Sequence, residues 1–125
     1  MDNTNEFLER CNRLMQGQHP TDILRRARER ISDSDKWTVM APARNAQGQW
    51  RKPHEPDACR WDIQGAIAIE CNPHGILPPF FMQLLDTMVS VYGCDSVGTF
   101  NDAYSHEMVL QIMEEAAKIC EDMEL

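Results

Sequence analysis

The sequence predicts a mainly α fold: about five helices packed around a central helix, with a short β-hairpin or extended arm at about residues 37–52. Three observations lead there. Apolar residues recur at three- and four-residue spacing in five stretches. Period-two alternation occurs in one place, Trp37-Thr38-Val39-Met40-Ala41. Proline, glycine or clustered Ser/Asp punctuates the gaps between these stretches. With 125 residues, 42% hydrophobic and 26% charged, the chain reads as a single small helical domain over 1–125 with a core of its own.

Taken in order, Asn3 or Thr4 can cap a first helix whose stripe is Phe7, Leu8, Cys11, Leu14 and Met15, with Gly17 as its stop. Thr21, just after Pro20, opens a second helix that buries Ile23, Leu24, Ala27 and Ile31. Asp22–Arg26 and Arg25–Glu29 are spaced as i,i+4 ion pairs on its wet face. Ser32 to Asp35 end that helix. The alternating stretch then runs to a turn at Asn45-Ala46-Gln47-Gly48, and Gln49, Trp50 and Arg51 run back, with Pro42 keeping the arm at an edge.

A third helix is expected from Pro56-Asp57 to about Cys71. It is apolar around much of its circumference and so belongs at the centre, and Gly65-Ala66 lets another backbone come close. Pro79 suits the first position of a fourth helix, with Phe80, Phe81, Leu84, Leu85, Met88, Val91 and Tyr92 as its stripe and Gly93 as its cap. Residues 94–100 read as a loop and Asn101-Asp102 as a turn. Ser105 caps the last helix, which turns Val109, Ile112, Met113, Ala116, Cys120 and Met123 inward and Glu107, Glu114, Glu115, Glu121 and Asp122 outward.

Net charge is −8, unevenly spread. Residues 1–69 carry 11 basic and 10 acidic side chains, net +1; residues 70–125 carry 1 and 10, net −9. Nucleic-acid affinity rests on neutralising phosphate, so an acidic chain is a poor candidate for it, and an acidic face suits a basic partner instead. The run Arg25, Arg26, Arg28, Arg30 is interrupted by Glu29 and reads first as a solvated helix face. The opening MDNTNEFLER is acidic and polar, unlike a secretory or transit signal, and no apolar run reaches the length of a membrane span. The expectation is a cytoplasmic protein, with no membrane association, whose five cysteines are reduced.

Three segments carry a resemblance: Lys36-Trp37 through Ala43-Arg-Asn-Ala-Gln-Gly-Gln-Trp50, EPDACRWDIQGAI at 55–67, and FNDAYSHEMVLQIMEEAA at 100–117. In this order they resemble a family of small uncharacterised bacterial and phage proteins, known only as a domain of unknown function. The resemblance spans about 22–118. It departs at Asp62, where members often have Cys, and at Ser105-His106, where they often have Arg-Thr. It implies a fold and a bacterial or phage setting, and no activity.

No phosphate-cradling, HExxH or EF-hand motif occurs, and no catalytic residue or cofactor is expected. The reading is a non-enzymatic interaction module, a phage-encoded inhibitor or modulator of a host (defence) protein. Its partner would be a host protein with a basic or nucleic-acid-binding surface. Trp50 and Arg51 are expected anchors, because tryptophan and arginine dominate interface hot spots. Glu107, Glu114, Glu115, Glu121 and Asp122 supply the acidic face. An arm without a core of its own also suits a homodimer. One alternative is a thiol- or zinc-dependent protein using Cys71, His74 and Cys94, of which Cys71 and His74 form a C-x-x-H pair. A nucleophile set of Cys94, His106 and Asp102 can also be assembled on paper. A second alternative is nucleic-acid binding through the 25–30 arginine cluster.

Overall fold

A computed structural model describes residues 3–125, with side chains from Asn5 onward. The helices are α1 (Asn3–Met15), α2 (Pro20–Arg30), α3 (Ile63–Cys71), α4 (Pro79–Val89), α5 (Val97–Ala103) and α6 (His106–Asp122). Between α2 and α3 lie three two-residue strands, β1 (Ala43–Arg44), β2 (Trp50–Arg51) and β3 (Arg60–Trp61). They form one antiparallel sheet in the order β2-β1-β3. The fold is mainly α with a small hairpin, as expected, but the alternating residues Trp37–Ala41 form no strand: Trp37 makes one isolated bridge to Trp61, and the hairpin pairs Ala43–Arg44 with Trp50–Arg51.

The helix limits follow local chemistry. Pro20 sits at the first position of α2 and Pro79 at that of α4, where the missing amide hydrogen would be unsatisfied anyway. Ser105 accepts from the Met108 amide and caps α6. Gly93, left-handed at φ 78°, closes the 3-10 turn that extends α4. The cap expected from Asn3 or Thr4 lies outside the described side chains.

The core joins Ile23, Leu24 and Ile31 around α2, Ile63 and Ile67 of α3, Phe81 and Leu85 of α4, Phe100 of α5 and Ile112 and Met113 of α6. Helix α3 is buried as expected, six of its nine residues being inaccessible, yet α2 makes the broadest contacts, against both α6 and α3. Three stripe residues face water instead of the core: Leu8 on α1, Val91 on the 3-10 turn beyond α4, and Met123, past the end of α6.

Three expectations are corrected. Residues 57–62 are not helical, because Arg60–Trp61 pairs with Ala43–Arg44 as a third strand and α3 starts only after Asp62. Residues 97–103 are not a loop but α5, capped by Ser96, which accepts from the Thr99 amide. The i,i+4 pairs Asp22–Arg26 and Arg25–Glu29 do not form; the arginines reach other helices, Arg25 to Glu121 and both Arg26 and Arg30 to Glu70. Among the described residues no helix is long and apolar enough to cross a membrane.

Candidate functional site

The hairpin is built around Asn45, which is almost fully buried. Its Oδ1 accepts from the Gln47 and Gln49 amides, and its Nδ2 donates to Gln49 and Asp57. This Asx arrangement fixes the turn that Gly48 completes at φ 79°. Arg44 donates to Thr38 Oγ1, the Val39 carbonyl and the Gly48 carbonyl, tying the arm to the segment before it.

The arm docks where Gly65 leaves room. A Cβ there would lie 1.9 Å from the Pro42 carbonyl oxygen, so only glycine admits this close approach of backbone to helix. Asn101 of α5 completes the docking. It is 1% exposed; its Oδ1 accepts from Trp37 Nε1 at 2.9 Å and the Ile63 amide at 3.1 Å, and its Nδ2 donates to the Thr38 carbonyl at 3.0 Å. The Asn101-Asp102 pair is therefore not a turn: Asn101 ties the arm, α3 and α5 together from inside a helix.

Next to this junction is an open cleft of about 420 Å³ lined by Met40, Ala41, Pro42, Trp50, Asp62, Gln64, Gly98 and Asp102. Trp50 is 52% exposed and Met40 71%, large apolar side chains left in water. Met40 has a left-handed backbone, φ 63°, held by its amide donating to Asp102 Oδ1 at 2.9 Å. Asp62 caps α3, its Oδ1 accepting from the Gly65 amide at 2.6 Å. Burial pushes its carboxyl up to about 7; the charge of Asp102 adds to the rise, and the backbone amides of Gly65 and Gln64 oppose it. The cleft thus brings together a buried carboxyl so displaced, an exposed tryptophan and a left-handed backbone.

A second, shallower depression of about 410 Å³ lies on α6. Glu107, Leu110, Gln111, Glu114, Glu115 and Lys118 line it together with Arg28. The expected acidic residues thus divide. Glu107, Glu114 and Glu115 share this surface; Asp122 is exposed at the helix end; Glu121 is taken up by Arg25 at 2.5 Å. Trp50 belongs to the hairpin cleft instead. Arg51 is held by Asp57 at 2.9 Å and Glu55 at 3.3 Å, and its hydrogen bond holds the Asp57 carboxyl below the usual range.

The other candidate residues are dispersed. Among the described residues no three His, Cys, Asp or Glu side chains are placed to hold one metal ion, so Cys71, His74 and Cys94 are not gathered. Burial pushes the Cys71 thiol up to about 12, which keeps it protonated. Cys94 is buried, His106 Nε2 contacts the Ile31 carbonyl at 2.6 Å, and Asp102 serves Met40, so these three make separate contacts. The four arginines of 25–30 are engaged within the fold: three in the ion pairs above, and Arg28 donating to the Leu110 carbonyl. Periodicity missed Asp62 and Asn101, although an aspartate directly before the apolar run 63–69 is a readable helix start.

No curated protein and no solved structure matches the chain. A family model covers residues 15–119, a span that contains every residue of the hairpin cleft and of the α6 depression. The chain therefore belongs to DUF6197, a family of unknown function.

Proposed function

We propose that the chain is a non-enzymatic interaction module that binds a protein partner with a basic or nucleic-acid-binding surface and modulates it by covering that surface. The observation that supports this reading is the acidic surface of α6, where Glu107, Glu114 and Glu115 line one depression at the edge of a half-chain of net charge −9. Its three glutamates outnumber Arg28 and Lys118 on the same surface, and a net acidic surface steers an oppositely charged protein and sets its orientation. Of the two anchors expected beside it, Trp50 offers its half-exposed indole to a partner, while Arg51 acts by stiffening the hairpin that presents it.

The test is affinity capture from bacterial lysate with the intact chain and with a Glu107→Lys, Glu114→Lys, Glu115→Lys variant, at low and moderate salt. The expected result is one stoichiometric partner, captured less well as salt rises and lost by the variant. Capture that neither salt nor the variant changes overturns the reading.

A further inference from the structure

We propose that the cleft between the hairpin and α5 is a socket for an arginine side chain of a protein partner. The inference rests on the interaction reading above and names the group by which the partner is recognised.

Four features of the cleft select that group. Its titratable lining residues are Asp62 and Asp102, both carboxyl groups, with no basic side chain among them. Trp50, half-exposed on the same wall, offers an indole to a cation. Met40 and Pro42 give an apolar rim against which the methylene stem of a long basic side chain can lie. At about 420 Å³ and widely open, the cleft admits one side chain and excludes a packed helix.

The polar atoms agree. Both hydrogen bonds that Asp102 accepts fall on Oδ1, from the Met40 amide at 2.9 Å and Asn101 Nδ2 at 3.4 Å, which leaves Oδ2 for an outside donor. Asp62 is 6% exposed, and none of the five ion pairs among the described residues includes it. A buried carboxylate without a counter-charge is costly, and a guanidinium seated beside it supplies the charge the fold withholds. The hairpin's own Arg44 and Arg51 are bound elsewhere and do not fill the space. Arginine is favoured over lysine because a planar guanidinium can stack on an indole while forking hydrogen bonds to carboxylates.

The experiment is an amide and indole chemical-shift titration of the intact chain with N-acetyl-arginine amide in the millimolar range. N-acetyl-lysine amide and uncharged N-acetyl-norleucine amide serve as comparisons. Saturable shifts at the Trp50 indole, Met40, Gln64 and Gly98 are expected with the arginine derivative, and weaker ones with the lysine derivative. Asp102→Asn should weaken binding roughly tenfold by removing a charge-assisted acceptor, while keeping an oxygen for the Met40 amide. Gly98→Leu should abolish binding by filling the cleft; its Cβ meets only Gln64 Oε1 at 3.5 Å and Ser96 Oγ at 3.7 Å, ordinary contact, and an unchanged urea unfolding midpoint checks that the fold is kept.

The proposal is overturned by the absence of saturable shifts, by shifts that survive both variants, or by an equal response to the lysine or norleucine derivative. Two outcomes separate it from the reading it rests on. A partner captured equally by the Asp102→Asn chain defeats the socket and leaves the acidic surface standing. Arginine binding in the cleft, with lysate capture indifferent to salt and to the α6 charge reversal, defeats the acidic surface and leaves the socket.

Discussion

Two side chains carry more of the fold than their residue types announce. Asn101 satisfies an indole, an amide and a carbonyl from two separate segments while itself excluded from water. Asn101→Ala leaves those groups buried without partners and should cost roughly 3–5 kcal/mol in urea unfolding. Asn101→Asp should also destabilise, because the group facing the Thr38 carbonyl would change from donor to acceptor. Asp62 makes a pH-dependent contribution whose sign is unusual for an aspartate. Its carboxyl rises from 3.8 to about 7 on folding, so the folded chain holds that proton more tightly than the unfolded one. This stabilisation is complete below about pH 4 and lost as pH climbs through about 7, a fall on the order of 4 kcal/mol at most. Asp62→Asn keeps an oxygen for the α3 cap and removes the charge; unfolding midpoints should rise most at pH 8, change least at about pH 4 and lose this slope between them. Neither role could be read from the sequence, since Asn and Asp favour turns wherever they occur. Only the docking of a distant segment makes Asn101 a buried connector, and only burial moves the Asp62 proton.

At the scale of elements, the long periodic helices α1, α2, α4 and α6 and the turn at residues 45–48 are evident in the sequence, because apolar spacing and turn residues act locally. The short elements are not. Strand β3 has two residues, and Trp61 looks the same whether it lies on a helix face or in a sheet; its partners Ala43 and Arg44 lie far back in the chain. Helix α5 has seven residues, too few for a period to show, and its polar Asn101-Asp102 end imitates a turn. The close approach that Gly65 predicts is present, and its partner is the Pro42 carbonyl. Gly65→Ala should therefore cost about 1–3 kcal/mol or more, since backbone must move. It should also perturb the Met40 and Trp50 amide resonances, because the same contact seats the arm. Ser96→Ala should cost about 1 kcal/mol through the lost α5 cap, measured by urea unfolding.

For the whole molecule, the uneven charge of the sequence is partly resolved by folding: basic α2 lies against acidic α6, and Arg25 and Arg28 are used up in that contact. Glu107, Glu114 and Glu115 take part in no ion pair among the described residues, which no reading along the chain could establish because it depends on which helix covers which. The thiols are sorted in the same way. Cys11, Cys71, Cys94 and Cys120 are buried and Cys59 is exposed, so an aromatic disulfide reagent should titrate one thiol rapidly in the native protein and five in denaturant. The Asn101 junction has a further consequence, in time. The groups it satisfies, at Trp37, Thr38 and Ile63, leave the ribosome long before it does, since residues are added in order and one of these bonds spans 64 positions. A nascent chain that ends anywhere before α5 holds an arm that lacks its Asn101 fastening. The site surface around Met40 and Trp50 comes into being only when the last quarter of the protein has been made, so a truncated product would carry the cleft's residues without its shape.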